Sequence, residues 1–202
     1  MKSVNTLNDL IIALEKGFPI CFKTETIWGL SIKPTTKKNI EKLYNIKKRN
    51  INKPLIYLIS KNQNLNDIVE EITPLHNKLM NAFWPGPLTI IFNAKKDTNV
   101  MQNQHYQETI ALRMPDDNLT QELLGKINYI LPTTSVNIEG KIPLNNYNEI
   151  INEFKNENIC ILKDLLLNNE NVSSTIVTIK NNQIIILREG IIKKEKILSL
   201  IT

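Results

Sequence analysis

Of the 25 basic residues in this 202-residue chain, only three are arginines: Arg49, Arg113 and Arg188. Lysine fills the ordinary surface positions, and the two cations recognise anions differently. A guanidinium is a planar fork that grips a carboxylate or phosphate at two points and keeps its charge when buried. Each arginine stands in a stretch that reads as part of a site: Lys47-Lys48-Arg49, Ala111-Leu112-Arg113-Met114-Pro115 and Leu187-Arg188-Glu189-Gly190. Chance placement near strand and helix ends is the plain alternative. Four segments read as loops at strand ends: Lys23-Thr24-Glu25-Thr26-Ile27-Trp28-Gly29-Leu30, the cationic run from Lys47 to Pro54, Pro132-Thr133-Thr134-Ser135-Val136-Asn137, and Ser173-Ser174-Thr175. Taken singly, such hydroxyl and amide clusters cap helices and fill turns. Taken together, cations and neutral donors without a histidine base or an activated cysteine describe a site that positions an anion. It would stabilise developing charge rather than move protons.

The elements that must hold these loops are legible from pattern. Thr6 caps a helix over residues 7–16 with Gly17 as its stop, and residues 18–23 form a short strand. Thr35-Thr36 opens a second helix to about residue 47, and Pro54 begins the strand 55–59. Residues 65–71 and 74–83 read as helices, and Pro85-Gly86-Pro87 turns the chain into strand 88–92. Strand 109–113, helix 118–126, strand 128–132, helix 146–155 and strand 159–162 follow. Residues 175–179 and 184–187 close the series as a hairpin. Interleaved helices and strands predict an α/β fold, an open twisted mixed sheet with flanking helices, in which loops at strand ends line one crevice.

Composition narrows the function. The net charge of +5 is spread in short lysine clusters, which suits an anionic substrate better than a nucleic-acid groove. Cys21 and Cys160 lie far apart in apolar runs with no ligand spacing, which excludes a zinc site and points to a reduced compartment. His76 and His105 stand alone in polar surroundings and read as surface residues. With no apolar leader and no membrane-length stretch, the chain reads as one soluble, cytoplasmic domain over residues 1–202. Neither GxGxxG nor GxxxxGK[ST] is present, so neither common phosphate loop serves any nucleotide it binds.

The motifs fall in an order that resembles one family. Lys-Thr-Glu-Thr-Ile-Trp-Gly-Leu from Lys23 is followed by Lys-Lys-Arg with Lys53-Pro54-Leu55, and then by Phe83-Trp84-Pro85-Gly86-Pro87-Leu88-Thr89. Thr109-Ile110-Ala111-Leu112-Arg113-Met114-Pro115, Ser135-Val136-Asn137, Ser174-Thr175-Ile176-Val177 and Leu187-Arg188-Glu189-Gly190 complete the series. Across about residues 18–192 this resembles the YrdC-like threonylcarbamoyl-adenylate synthases. The resemblance implies a YrdC-like fold with a basic central cavity and no extra C-terminal domain. It implies a nucleotidyltransferase that converts L-threonine, bicarbonate or CO₂, and ATP to threonylcarbamoyl-AMP and diphosphate. Downstream tRNA threonylcarbamoyl-transfer proteins would use that product, with at most a weak tRNA contact by this chain and none with a membrane. By the same resemblance Thr24, Thr26, Arg113, Ser135 and Ser174 meet threonine. Arg49, Lys53, Thr109, Asn137, Asn145 and Arg188 meet ATP, Lys47 and Arg49 assist the chemistry, and Mg²⁺ arrives on the phosphates. The alternatives are an RNA-binding module without catalysis and a paralogue that transfers another carbamoyl or adenylyl group.

Several positions depart from the family's pattern. Lys23 replaces a proline and Trp28 a tyrosine, while Glu139 stands where the Ser-Ala-Asn-x-Ser-Gly loop has its second serine. Residues 163–168 replace a glycine-rich approach, Thr178 an aspartate, and Glu189 the proline of Arg-Pro-Gly. Most of these changes fall on the triphosphate side.

Overall fold

A computed structural model describes residues 1–96, 108–163 and 172–200. His105 and residues 164–168 lie outside the described residues. Strands β1 (Lys2–Val4), β2 (Ile20–Phe22), β3 (Gly29–Ser31), β4 (Ile56–Leu58) and β5 (Leu88–Asn93) come from the first half of the chain. The second half supplies β6 (Thr109–Arg113), β7 (Leu131–Ser135), β8 (Cys160–Leu162), β9 (Thr175–Lys180) and β10 (Gln183–Arg188). They join one mixed sheet in the order β1-β8-β2-β3-β7-β4-β6-β5-β9-β10. The helices are α1 (Leu7–Glu15), α2 (Lys37–Lys47), α3 (Pro74–Phe83), α4 (Asn118–Lys126), α5 (Tyr147–Glu153) and α6 (Lys194–Leu198). Thr6 and Thr36 cap α1 and α2 through their side chains, each accepting a backbone N–H of the first turn.

Strand periodicity sorts the sheet into two faces, and register carries the sorting across strands. Cys21 pairs with Leu30 and Ile161, Tyr57 with Leu112, and Ile90 with both Leu112 and Val177. All of these pack in the larger core beneath α2, α3, α5 and α6. Their neighbours Ile20, Phe22, Leu58 and Leu131 face the other way, into a smaller core with Leu10 and Leu14 of α1 and Leu123 and Leu124 of α4. Those two helices cover only the end of the sheet nearer β1. Farther along the same face the register aligns Thr133, Ile56, Ala111, Ile91 and Thr178. Ile56, Ala111 and Ile91 there are only partly buried. This open half-face is where a hollow forms.

Several expectations change. The strand expected at 128–132 runs Leu131–Ser135, because β3 and β4 ladder onto it through Thr133; its hydroxyls are strand residues, not a loop. The helix expected at 65–71 is a single 3₁₀ turn over Leu65–Asp67. Val69 instead bridges Ala94, and the Glu70 N–H donates to Asn93 O at 3.0 Å, so tertiary pairing overrides local propensity. His76 is buried rather than exposed: it stacks on Phe92 at 4.5 Å, and its Nδ1 accepts the Thr73 N–H. β1, β3 and α6 are elements that pattern did not reveal, each being five residues or fewer. No helix among the described residues is long and apolar enough to cross a membrane.

Candidate functional site

β2 delivers the Thr24-Glu25-Thr26 turn to the open face beside the end of β6. Thr24 Oγ1 donates to Ile27 O at 2.7 Å, accepts the Thr26 N–H, and sits 3.0 Å from Thr26 Oγ1. These bonds fold the segment tightly under Arg113, which is only 5% exposed. Arg113 Nη1 donates to Thr26 Oγ1 at 2.8 Å and Nε to Gly86 O at 3.4 Å. Its Nη2 stands 2.7 Å from Glu25 Oε1 but is misaligned for a hydrogen bond, so the pairing is electrostatic. Glu25 Oε1 is also claimed by the Asp116 N–H. Arg113 is therefore a pre-set fork, neutralised by Glu25 on one side, with a buried donor still to satisfy.

The opposite wall comes from β9 and β10. Arg188 Nε and Nη2 both donate to Ser174 O, at 3.1 and 2.8 Å, and Nη2 also reaches Ser174 Oγ at 3.2 Å. Ser174 Oγ lies 2.8 Å from Thr89 Oγ1, buried on β5. Burial, and then repulsion from Arg113, pull the Arg188 pKa down, so the two guanidinium groups feel one another across the face. A bound anion would relieve that repulsion.

Arg49 follows α2, whose end is a left-handed Lys48 (φ 52°). Its Nη2 donates to Pro54 O at 3.0 Å, while its buried Nε has no hydrogen-bond partner. Arg49, Arg113 and Arg188 line one hollow of about 240 Å³ together with Thr24, Trp28, Ser135 and Ser174. Ile56, Ala111, Ile91 and Ile176 form its apolar floor. Gly29 also lines it, where a Cβ would come within 3.0 Å of Thr133 Cγ2. The hollow thus gathers six of the expected residues: Thr24, Arg49, Arg113, Ser135, Ser174 and Arg188. Thr26 stands behind Arg113.

The other expected residues lie elsewhere. Lys47 is 1% exposed and spends its ammonium on Ser135 O, Asn137 O (2.9 Å) and Asn137 Oδ1 (2.6 Å). Asn137 Oδ1 also accepts from Ser135 Oγ at 2.7 Å, and Asn137 Nδ2 donates to Lys141 O at 2.6 Å. Lys47 and Asn137 are therefore the frame that holds Ser135 at the hollow, and neither lines it. Thr109 is four residues from Arg113 on β6, about 13 Å at roughly 3.3 Å per residue, and lines a separate hollow with His76 and Thr178. Asn145 follows Leu144, whose N–H donates to Val136 O, and is likewise outside the hollow. Lys53 precedes Pro54, which lines the hollow, but does not line it itself; it is exposed, with its ammonium on Glu139 Oε1.

Two participants were missed by residue reading. Glu25 belongs to the Thr-Glu-Thr run, and its charge next to a buried arginine is the signal that could have marked it. Thr89 ends the Pro-Gly-Pro-Leu-Thr run, but its link to Ser174 spans 85 residues and leaves no local trace.

Comparison with known proteins adds an independent line. The Sua5/YciO/YrdC family model, described as telomere recombination, matches residues 12–190. A threonylcarbamoyl-AMP synthase from Photobacterium profundum is 28% identical over 170 residues, covering 83% of this chain and 91% of that protein. One from Bacillus subtilis is 32% identical over 128 residues, which span 63% of this chain but 37% of that longer protein. Among solved structures, P. abyssi Sua5 complexed with L-threonine superposes with a TM-score of 0.86 at 24% identity, covering 99% of this chain and 60% of that one. E. coli YciO superposes with a TM-score of 0.82 at 18% identity over 97% of both chains. At these identities the superpositions establish the fold.

Proposed function

Because the chain belongs to the Sua5/YciO/YrdC family, we propose that it is an L-threonylcarbamoyladenylate synthase. It converts L-threonine, bicarbonate and ATP to threonylcarbamoyl-AMP and diphosphate. The observation that carries this reading is the convergence of all three arginines, with Thr24, Ser135 and Ser174, on one hollow. Substrates that are anions, brought together in a partly dry site, need this kind of fixed donor array.

The chemistry divides between the two walls. The threonine amine adds to bicarbonate with loss of water, giving a carbamate. A carbamate oxygen then attacks the α-phosphorus of ATP, the bond to the β-phosphate's bridging oxygen breaks, and diphosphate leaves. On the Thr24–Arg113 wall, Arg113, fixed by Glu25 and Thr26, sets a guanidinium beside the amino acid's anionic end, and Thr24 lines the hollow next to it. Arg49, Arg188 and Ser174 hold the phosphate chain and stabilise the charge that grows on it, as in other phosphoryl-group reactions. A hollow of about 240 Å³ is smaller than the ~300–1,000 Å³ of sites that enclose whole drug-sized ligands. It accommodates an amino acid and the reacting phosphate and leaves the nucleoside on the open half-face.

Magnesium, when bound, neutralises phosphate charge. Among the described residues no three acidic, histidine or cysteine groups cluster to hold a metal, which fits an ion carried mainly by the nucleotide's own oxygens. The product, a reactive mixed anhydride, passes in the cytoplasm to proteins that transfer the threonylcarbamoyl group to tRNA.

The test is diphosphate release from ATP, magnesium and bicarbonate with and without L-threonine. Release that depends on threonine is expected. Absence of release, or release indifferent to threonine, overturns the reading.

A further inference from the structure

The turn that carries Arg49 and Lys53 already holds an anion, and the anion is the protein's own. Glu139 Oε1 pairs with Lys53 Nζ, and its Oε2 accepts the Asn50 N–H at 2.9 Å. The Glu139 backbone N–H donates to Lys47 O at 2.9 Å, so the residue is pinned from both its main chain and its side chain. The turn closes around it: the Lys53 N–H donates to Asn50 O at 3.0 Å, and the Asn52 N–H to Asn50 Oδ1 at 2.9 Å. Lys53 above all, then the Asn50 N–H, hold the Glu139 carboxyl below its usual range, and the Arg49 charge adds to this. Backbone N–H, ammonium and nearby guanidinium together form the kind of cradle that ordinarily receives a phosphate.

We propose that Glu139 is a positioning residue that acts as an internal counter-anion, occupying Lys53 until the phosphate chain of the nucleotide displaces it. The inference rests on the synthase reading and extends its phosphate contacts from Arg49 to Lys53, which the same turn carries four residues on. The Lys53 side chain is 56% exposed and that of Glu139 is 23%, so the pair contributes little net stability and can be exchanged. A polyphosphate brings several charges to the same cations and outcompetes one carboxylate. In the empty protein Glu139 keeps the 48–54 turn folded, so the cations are already gathered when the nucleotide arrives. The cost is weaker nucleotide affinity, because one anion must be expelled to admit another.

The experiment reads nucleotide binding directly. Equilibrium titration of ATP with magnesium, without threonine, is compared for the full chain, Glu139→Gln, Glu139→Ser, Lys53→Met and the double variant Lys53→Met/Glu139→Gln. Glu139→Gln keeps an acceptor for the Asn50 N–H and removes only the charge. It should tighten ATP binding about two- to fivefold, the range an exposed ion pair spans, with a smaller gain at high salt. Glu139→Ser removes the acceptor for the Asn50 N–H as well as the charge, so its gain should be smaller than that of Glu139→Gln. In the Lys53→Met background the gain should vanish, because the competition runs through that ammonium. In steady-state assays KM for ATP should change more than kcat. Unchanged or weaker ATP binding in Glu139→Gln, or a gain that survives without Lys53, overturns the inference. Because the titration needs no turnover, failure of the synthase reading shows separately, as ATP binding without threonine-dependent diphosphate release.

Discussion

Replacing Gly190 by alanine tests whether the Arg188 wall is set by backbone packing. Gly190 has no left-handed φ, so the requirement is for space. A Cβ there would lie 2.6 Å from the Ser174 carbonyl carbon and 2.8 Å from its oxygen, with the Ser173 oxygen closer still. All of these are main-chain atoms, which cannot swing away as a flexible side chain can. Comfortable carbon contacts lie near 3.5–4.0 Å, so the two segments must separate by about 1 Å. The same Ser174 oxygen receives both Arg188 Nε and Nη2, and the Gly190 N–H donates to buried Thr175 Oγ1 at 2.9 Å. Overpacking costs about 1–3 kcal/mol and a weakened buried hydrogen bond about 1 more. At roughly 2–4 °C per kcal/mol for a chain of this size, the melting temperature of Gly190→Ala should fall by roughly 5–15 °C. A shift of about 1 Å in Ser174 and Arg188 should lower threonine-dependent diphosphate release by about 100-fold even where the variant is folded. Thermal unfolding by circular dichroism and initial rates at a temperature below both transitions supply the two readouts. A melting temperature within about 2 °C of wild type, with a rate within about threefold, would refute the argument.

Two more perturbations probe the other walls. Arg49→Lys keeps the charge but cannot hold Pro54 O and present a second donor to the hollow, so kcat/KM for ATP should drop about 10- to 100-fold, equivalent to ~1.5–3 kcal/mol; near-normal turnover would remove Arg49 from the phosphate contacts. Burial first, and then the Arg49 charge, draw the Lys47 pKa down to about 7, against an opposing pull from Glu139. Between pH 7 and the ordinary lysine value near ~10.4 the unfolded chain then binds more protons than the folded one, so stability rises with pH by at most about 1.4 kcal/mol per unit. Urea unfolding at pH 7, 8 and 9 should show that rise in wild type and a flatter one in Lys47→Met, and parallel slopes would contradict it.

How much of this was legible in the residues can be followed position by position. Thr6 and Thr36 announce their helices because a cap is a bond over three residues. The three arginines stood out by rarity, and the structure brings them to one hollow. The resemblance made Asn137 an ATP contact and Lys47 an assistant to the chemistry. Only the fold reveals that they satisfy each other, a bond across 90 residues. The resemblance put both Thr109 and Arg113 at the site, but an extended strand separates them by its length and leaves them at different hollows.

Sequence alone determined most of the longer helices and strands, the cations and hydroxyls available, and the order of the motifs, since these depend on neighbours a few residues apart. Tertiary structure decided strand register, and with it which side chains face the open half of the sheet. It also decided which polar groups are spent on one another and that Glu139 meets Lys53 and Asn50. Those outcomes turn on pairing between distant strands, where a slip of one residue sends every side chain to the opposite face.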